Sequence, residues 1–386
     1  MDILRIIDSI ANKLIQEKLN DNGLLQGNAG LSIFFAYLFL FTEEEKYLVN
    51  SEKLINLSID SIETGNISSC TFCNGVSGVM WQLNHLIKIG ILETEISNNI
   101  ISDDIIGLMT QVSIRYLQMG DYDFLHGGLG PAMCFLNHTN SFKEREGFKN
   151  ILHLLVETLE IKQDTFLFKN EFKSRDNLGL SHGIPSVVSI LAKAIKYNMS
   201  TEKSEKLLHD SLNLIKSKKN EDGLSLYPNL ITDEKPYNSR LAWCYGDLGV
   251  ASAFWKAGKA MNNQEWKNEA IAIMLHSSKR RDLKENNVLD ACFCHGTSGI
   301  AHIFNRFYKE TGIKEFNEAR WYWLQKTLGM ATWNGDLADY KTWLGQKGWK
   351  NESGLLEGIA GIGLVLLGFL TNDIINLSWD ECLLLS

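Results

Sequence analysis

Two cysteines and a histidine stand out because they lie directly before glycines that open apolar segments. Cys244 is two residues before Gly246, and Cys294 and His295 immediately precede Gly296. Two thiolates and an imidazole suit Zn²⁺, and three protein ligands leave the fourth position open, as in catalytic zinc sites. The sequence therefore predicts one zinc ion per chain, held by these three side chains.

The positions of the remaining cysteines are less suited to metal ligation. Cys73 has the same position relative to its glycine but lies in a distant repeat, and Cys70-x-x-Cys73 has no matching second pair. We expect Cys292 to point away from the site and Cys134 to be core, while Cys382 is unassigned. Taken singly, each proposed ligand is also consistent with a buried thiol or a hydrogen-bonded imidazole. Only the shared position before a glycine favours the metal site.

Four further polar residues near neighbouring glycines are candidates for proton transfer and charge stabilisation: His182, Asp123, Arg240 and Tyr245. An imidazole titrates near neutral pH, so His182 is the expected proton donor or acceptor. Asp123 and Arg240 would orient a base or a developing anion, or would form a purely structural salt bridge. Tyr245 would donate a hydrogen bond into the site or simply pack.

These residues belong to an internal repeat. Seven glycine-led segments each open an apolar run with helical spacing, at Gly27, Gly75, Gly127, Gly183, Gly246, Gly296 and Gly358. The residue directly before each glycine is polar in every copy: Gln26, Asn74, His126, His182, Tyr245, His295 and Glu357. Core packing would have selected apolar residues there, so we infer a functional rim.

The segments between the copies are amphipathic, whereas the glycine-led segments are apolar nearly all round. This alternation predicts an all-α fold, an α/α toroid (barrel) of seven inner and seven outer helices, with G-x-x-G starts to the inner helices. Residues 1–386 would form one domain. Ring closure would cover the hydrophobic ends that an open helical array, the alternative, has to cap.

Composition narrows the function. The 386 residues carry a formal net charge of −8, which argues against a nucleic-acid partner. No apolar run approaches the ~18 residues needed to span a bilayer, and the start of the chain does not resemble a signal peptide. We therefore expect a cytoplasmic protein whose seven cysteines are reduced. Peripheral association with a membrane-bound biosynthetic complex is compatible with this location.

Several motifs together resemble the lanthionine synthetase C-like cyclases: Trp243-Cys244-Tyr245-Gly246, Cys294-His295-Gly296, Ser181-His182-Gly183, Tyr122-Asp123 and Arg240, with the seven glycine-led segments. The resemblance covers essentially the whole chain. It implies an α/α barrel, zinc held by the two cysteines and the histidine, and the four other polar residues at active-site positions. Only residues 161–176, roughly, are available for the small insert that some family members carry, so we expect it to be abbreviated.

The resemblance also implies a reaction and its partners. A peptide cysteine would add to dehydroalanine or dehydrobutyrine in a dehydrated ribosomal precursor peptide with a leader, as in lantibiotic biosynthesis. We expect a separate dehydratase and an export transporter, because the chain starts too close to the first repeat to carry a dehydration domain. The alternatives are glutathione addition to dehydrated proteins, or a non-catalytic peptide-binding scaffold with structural zinc.

Overall fold

The computed structural model describes residues 3–93, 102–137, 142–159, 177–231, 238–333, 337–371 and 377–386. Most residues in these ranges are helical, and two short strands, Thr342–Trp343 (β1) and Trp349–Lys350 (β2), pair in an antiparallel hairpin. No helix in the described part of the chain is long and apolar enough to cross a bilayer. The predicted insert at 161–176 lies outside the described residues.

Fourteen described α-helices alternate between two kinds. The odd-numbered helices are the predicted outer ones: α1 Ile3–Gln16, α3 Glu45–Glu63, α5 Asp103–Gln118, α7 Phe142–Leu159, α9 Glu202–Ser217, α11 Gln264–Ser277 and α13 Lys314–Gly329. The even-numbered helices are the glycine-led ones: α2 Asn28–Thr42, α4 Val76–Lys88, α6 Gly130–Asn137, α8 Ile184–Lys196, α10 Asp247–Ala260, α12 Thr297–Thr311 and α14 Ile359–Leu370.

The two kinds of helix differ in how they are buried. Every residue of α14 from Ile359 to Phe369 is buried, and so is every residue of α2 from Asn28 to Leu38. Helix α1 instead buries a single stripe at three- and four-residue spacing, formed by Ile6, Ile7, Ile10, Ala11 and Leu14. A single apolar stripe leaves the opposite face to water, as expected for an outer helix.

The chain divides into two compact units. The first comprises Met1–Ser69, Cys73–Ile96 and Arg281–Asp380, and the second comprises Cys70–Phe72, Ser97–Arg280 and Glu381–Ser386. Helices α1–α4 and α12–α14 belong to the first unit, where α14 packs against both α1 and α2. Helices α5–α11 belong to the second, where α8 packs against α9 and α10. A single domain over residues 1–386 stays a prediction.

The turn before an even-numbered helix is closed by a residue six positions ahead of the glycine. Before α12, Asp290 Oδ1 accepts the Cys292 N–H at 3.0 Å and the Asp290 carbonyl accepts the Thr297 N–H at 3.0 Å. A Cβ on Gly296 would lie only 2.5 Å from Asp290 Oδ1, which is why a glycine stands there. Equivalent side-chain hydrogen bonds are accepted by Asp21, Asp121 and Asn177.

Backbone hydrogen bonds join neighbouring turns at the residue two before the glycine. In the first unit the Cys294 N–H donates to the Leu356 carbonyl at 2.9 Å, and the Leu356 N–H donates to the Leu25 carbonyl at 3.0 Å. The Leu25 N–H in turn donates to the Cys73 carbonyl at 2.9 Å. The position of the Cys294 backbone in its turn is therefore set by main-chain hydrogen bonds.

Candidate functional site

In the second unit, a carboxylate and an imidazole from successive turns are hydrogen-bonded. His182 Nδ1 lies 2.7 Å from Asp123 Oδ2, and the other carboxylate oxygen accepts the N–H groups of Leu125 at 2.7 Å and His126 at 2.8 Å. The turn before α6 thus fixes Asp123, and Asp123 in turn orients His182. With Nδ1–H donating to the carboxylate, Nε2 is the ring nitrogen of His182 that Asp123 does not engage.

The charge state of Asp123 follows from these contacts. Burial disfavours the carboxylate, but the hydrogen bond and charge of His182, helped by the N–H of His126, hold the pKa of Asp123 below its ordinary value. Asp123 is therefore an anion at neutral pH. A carboxylate that accepts the Nδ1–H selects the tautomer of the neutral imidazole.

Cys244 lies in the turn before α10, and a buried ion pair clamps both ends of that turn. Arg280 donates to the Ser239 carbonyl at 2.7 Å and to Asp247 Oδ2 at 2.9 Å. Both side chains of the pair are almost inaccessible to solvent. Burial opposes both charges, so it raises the pKa of Asp247 and lowers the pKa of Arg280. Losing either partner would leave an uncompensated buried charge beneath Cys244.

Cys244 and Tyr245 contact the turn that carries His182. The Cys244 carbonyl accepts the Ser181 N–H at 3.4 Å and the Ser181 hydroxyl at 3.2 Å. The Tyr245 hydroxyl accepts a hydrogen bond from Asn177 Nδ2 at 3.3 Å, and its ring centroid lies 6.1 Å from that of His182. Tyr245 is thus placed beside the imidazole.

Arg240 behaves differently from one of the alternatives that the sequence allowed. It lies half-buried in the same turn as Cys244. It makes no ion pair with Asp123, whose Oδ2 is hydrogen-bonded to His182 instead. The Asp123–Arg240 pair considered from sequence is therefore not formed. The guanidinium remains a candidate for contacts with a substrate.

In the first unit, three potential metal ligands converge. Cys294, His295 and Glu357 each place one ligand atom within 4.8 Å of the others. Glu357 is brought there by the turn before α14, where its carbonyl accepts the Thr342 hydroxyl at 2.5 Å. Sulfur, imidazole nitrogen and carboxylate oxygen are all common zinc donors, so the side chains present fit such an ion.

A second acidic residue supports His295. Asp290 Oδ2 lies 3.3 Å from His295 Nε2 and accepts the Trp343 N–H at 2.8 Å. Burial opposes ionisation of Asp290, but the contact with His295, the Trp343 N–H and the side chain of Cys292 lower its pKa below the ordinary value. A carboxylate that holds one imidazole nitrogen is a frequent companion of a metal-bound histidine, because it fixes the ring and its tautomer.

Cys292 is not where the sequence led us to expect it. Its sulfur lies within 4.8 Å of ligand atoms of Asp290 and His295, so it points towards the histidine and not away from it. Sequence reasoning also missed Asp290, although its position six before a glycine, shared with Asp21, Asp121 and Asn177, was the available signal. Burial raises the pKa of the Cys292 thiol well above its ordinary value.

The three predicted zinc ligands are divided between the two units. Cys244 belongs to the second unit, whereas Cys294 and His295 belong to the first. Each part is well positioned within its own unit, Cys244 by the Arg280 clamp and Cys294 by the main-chain link to Leu356. The complete ligand set stays a prediction.

The Asp123–His182 pair predicts a pH-dependent stability. Because the pKa of Asp123 is lowered on folding, its contribution is present above the unfolded value of about 3.9 and is lost as the pH falls through the folded value. Asp123→Asn keeps the turn acceptor but removes the charge. We expect it to lower the free energy of unfolding at pH 7 by about 1–2 kcal/mol, a difference that shrinks below pH 4.

Urea denaturation at several pH values measures this difference. Asp121→Asn is the matched control, because the Asp121 side chain keeps its hydrogen bond from the Asp123 N–H and contacts neither imidazole through a described hydrogen bond. An Asp123→Asn deficit that does not change with pH would show that the carboxylate charge is not the stabilising feature.

Comparison with known proteins places these features in context. The family profile described as lanthionine synthetase C-like protein matches residues 18–384. The nisin biosynthesis protein NisC of Lactococcus lactis subsp. lactis is 30% identical over 221 residues, which are 54% of this chain and 48% of that protein. The chain thus matches about half the length of this relative.

A solved structure of a nisin cyclase resembles the whole chain. The TM-score is 0.75 at 21% sequence identity, and the alignment covers 99% of this chain and 96% of that one. This likeness confirms the predicted all-α fold class, the α/α toroid of inner and outer helices. Since the family profile extends over nearly the full sequence, the chain belongs to the lanthionine synthetase C-like family.

Proposed function

We propose that the protein is a zinc-dependent lanthionine and methyllanthionine synthetase. It would add cysteine thiols to dehydroalanine or dehydrobutyrine in a dehydrated ribosomal precursor peptide, as in lantibiotic biosynthesis. The observation that carries this proposal is the Asp123–His182 hydrogen bond at 2.7 Å beside Tyr245. A scaffold with structural zinc has no need of an oriented imidazole with one nitrogen left for proton exchange.

Cys244, Cys294 and His295 are the proposed zinc ligands, and Asp290 is the proposed partner that orients His295. The cluster of Cys294, His295 and Glu357 ligand atoms within 4.8 Å supports a metal at this place in the first unit. When bound, zinc supplies a positive charge that lowers the pKa of a substrate thiol, so that the nucleophilic thiolate forms at neutral pH. Glu357 would be the neighbour that restricts the space around the open position.

The remaining chemistry requires a proton at carbon. The cysteine sulfur forms a bond to the alkene β-carbon, the double-bond electron pair moves towards Cα, and Cα must then take up a proton. His182 is proposed to move the proton at Nε2, because Asp123 engages Nδ1. Arg240 and Tyr245 are proposed to stabilise the negative charge on the substrate carbonyl during the addition.

The proposed reaction sets the partners. A dehydro amino acid must be made from serine or threonine by loss of water, so a dehydratase supplies the substrate. The precursor peptide would arrive with its leader, and an export transporter would take the product. A cytoplasmic location, at the periphery of a membrane-bound complex, is proposed together with these partners. Similarity to a nisin biosynthesis protein supports this assignment.

The ligand assignment predicts which cysteines matter for zinc. We expect about one zinc per chain in the wild type. Cys244→Ala and Cys294→Ser should lose both zinc and cyclisation, because alanine offers no ligand and a serine hydroxyl ligates zinc poorly. Cys292→Ser should retain zinc, because Cys292 is not a proposed ligand. The measurement is zinc content and ring closure of the variants in parallel. Cys292→Ser is the demanding control, since its sulfur also lies beside His295. Zinc lost from Cys292→Ser but kept by Cys294→Ser would reassign the ligand in this turn.

A second prediction separates proton transfer from metal binding. His182→Asn should keep zinc but close rings about 10²-fold more slowly or worse, the usual scale of general acid–base help. Single-turnover closure of a dehydrated peptide, followed by loss of free thiol, measures the rate. Wild-type kinetics in this variant would reduce His182 to a structural residue of the rim.

A further inference from the structure

One histidine of the rim has no part in the proposed reaction. Of the three histidines directly before a glycine, His182 and His295 have roles, which leaves His126. Its side chain is exposed to solvent in the turn before α6.

His126 lies against the proposed proton-transfer residue. The imidazoles of His126 and His182 have centroids 5.6 Å apart and planes inclined by only 18°. Asp123 accepts the main-chain N–H of His126 on one oxygen and faces Nδ1 of the His182 ring with the other. The carboxylate thus holds the backbone from which the His126 ring projects, and it orients the His182 ring directly.

The surroundings of His126 favour its neutral form at neutral pH. Partial desolvation of the exposed ring lowers its pKa, the Asp123 carboxylate opposes this shift, His182 adds to it and Asp121 opposes it. A neutral imidazole accepts a proton on one nitrogen and releases one from the other. Since Nδ1 of His182 is engaged by Asp123, a proton leaving or entering His182 has to pass through Nε2.

We propose that His126 is a second proton carrier of this site, passing a proton through one water molecule between His182 Nε2 and the solvent. The relay rests on the proposed cyclase function. In each turnover the cysteine thiol releases one proton to solvent, His182 gives one proton to Cα, and His126 returns one proton from solvent to His182, so no net proton is gained or lost. His126 would thus reset the protonation of His182 after each addition.

Chemical rescue tests this relay. The variant is His126→Gln, whose amide side chain is polar but does not take up or release a proton near neutral pH. The control is His153→Gln, a substitution of an exposed histidine on the outer helix α7. The probe is a synthetic peptide with one dehydroalanine and one cysteine, used at low buffer concentration with and without free imidazole. We expect His126→Gln to keep zinc and to close the ring at least about 10-fold more slowly. Added imidazole should restore most of the ring-closure rate of His126→Gln, whereas it should leave the rates of the wild type and His153→Gln unchanged.

Three results would overturn the relay. Wild-type rates in His126→Gln at low buffer would show that no carrier is needed, and a slow rate that imidazole leaves unchanged would show a structural role. Absence of ring closure in the wild type, with zinc bound, would remove the cyclase function itself and the relay with it. The wild-type measurement therefore distinguishes failure of the function from failure of the relay alone.

Discussion

Main-chain hydrogen bonding between successive turns is the constraint on which the rest of the structure depends. Each turn before an inner helix must satisfy its own N–H and carbonyl groups, because these groups are buried between apolar helices. The bonds Cys294 to Leu356 and Leu356 to Leu25 do so at one fixed position, two before the glycine. Ser181 and Cys244 make the same link in the second unit. Because the main chain fixes this position, its side chain varies between copies, from the core leucines Leu25 and Leu356 to the cysteines Cys244 and Cys294.

Two aspartates show how the turn and the chemistry share one residue. Asp123 closes its turn through Oδ1 and holds His182 through Oδ2, and Asp290 closes its turn through Oδ1 and approaches His295 through Oδ2. In both cases the pKa of the carboxyl is lowered although burial opposes it. The same carboxylate thus stabilises a loop, fixes a ring and sets a tautomer, which makes the imidazole rigid without a further element of structure.

Much of this arrangement was predictable from the sequence. The glycine spacing predicted seven apolar helices that follow the glycines from Gly27 to Gly358, and the structure has a helix after each of them. The role of Asp290 was not predicted because the repeat pointed only to the two positions directly before each glycine. Asp290 lies six positions before its glycine. The direction of the Cys292 side chain was mispredicted because residues of an irregular turn follow neither the period of a strand nor that of a helix, so spacing alone does not assign them a face. The Asp123–His182 bond joins residues 59 apart, and only the folded turns bring them together.

Zinc K-edge X-ray absorption of the purified, zinc-loaded protein measures the ligand set most directly. Ligation by Cys244, Cys294 and His295 requires two sulfur neighbours at about 2.3 Å and one imidazole nitrogen at about 2.0–2.1 Å, with one light atom in the open position. A single sulfur accompanied by oxygen and nitrogen, as a site of Asp290, Cys292 and His295 would give, would contradict the assignment.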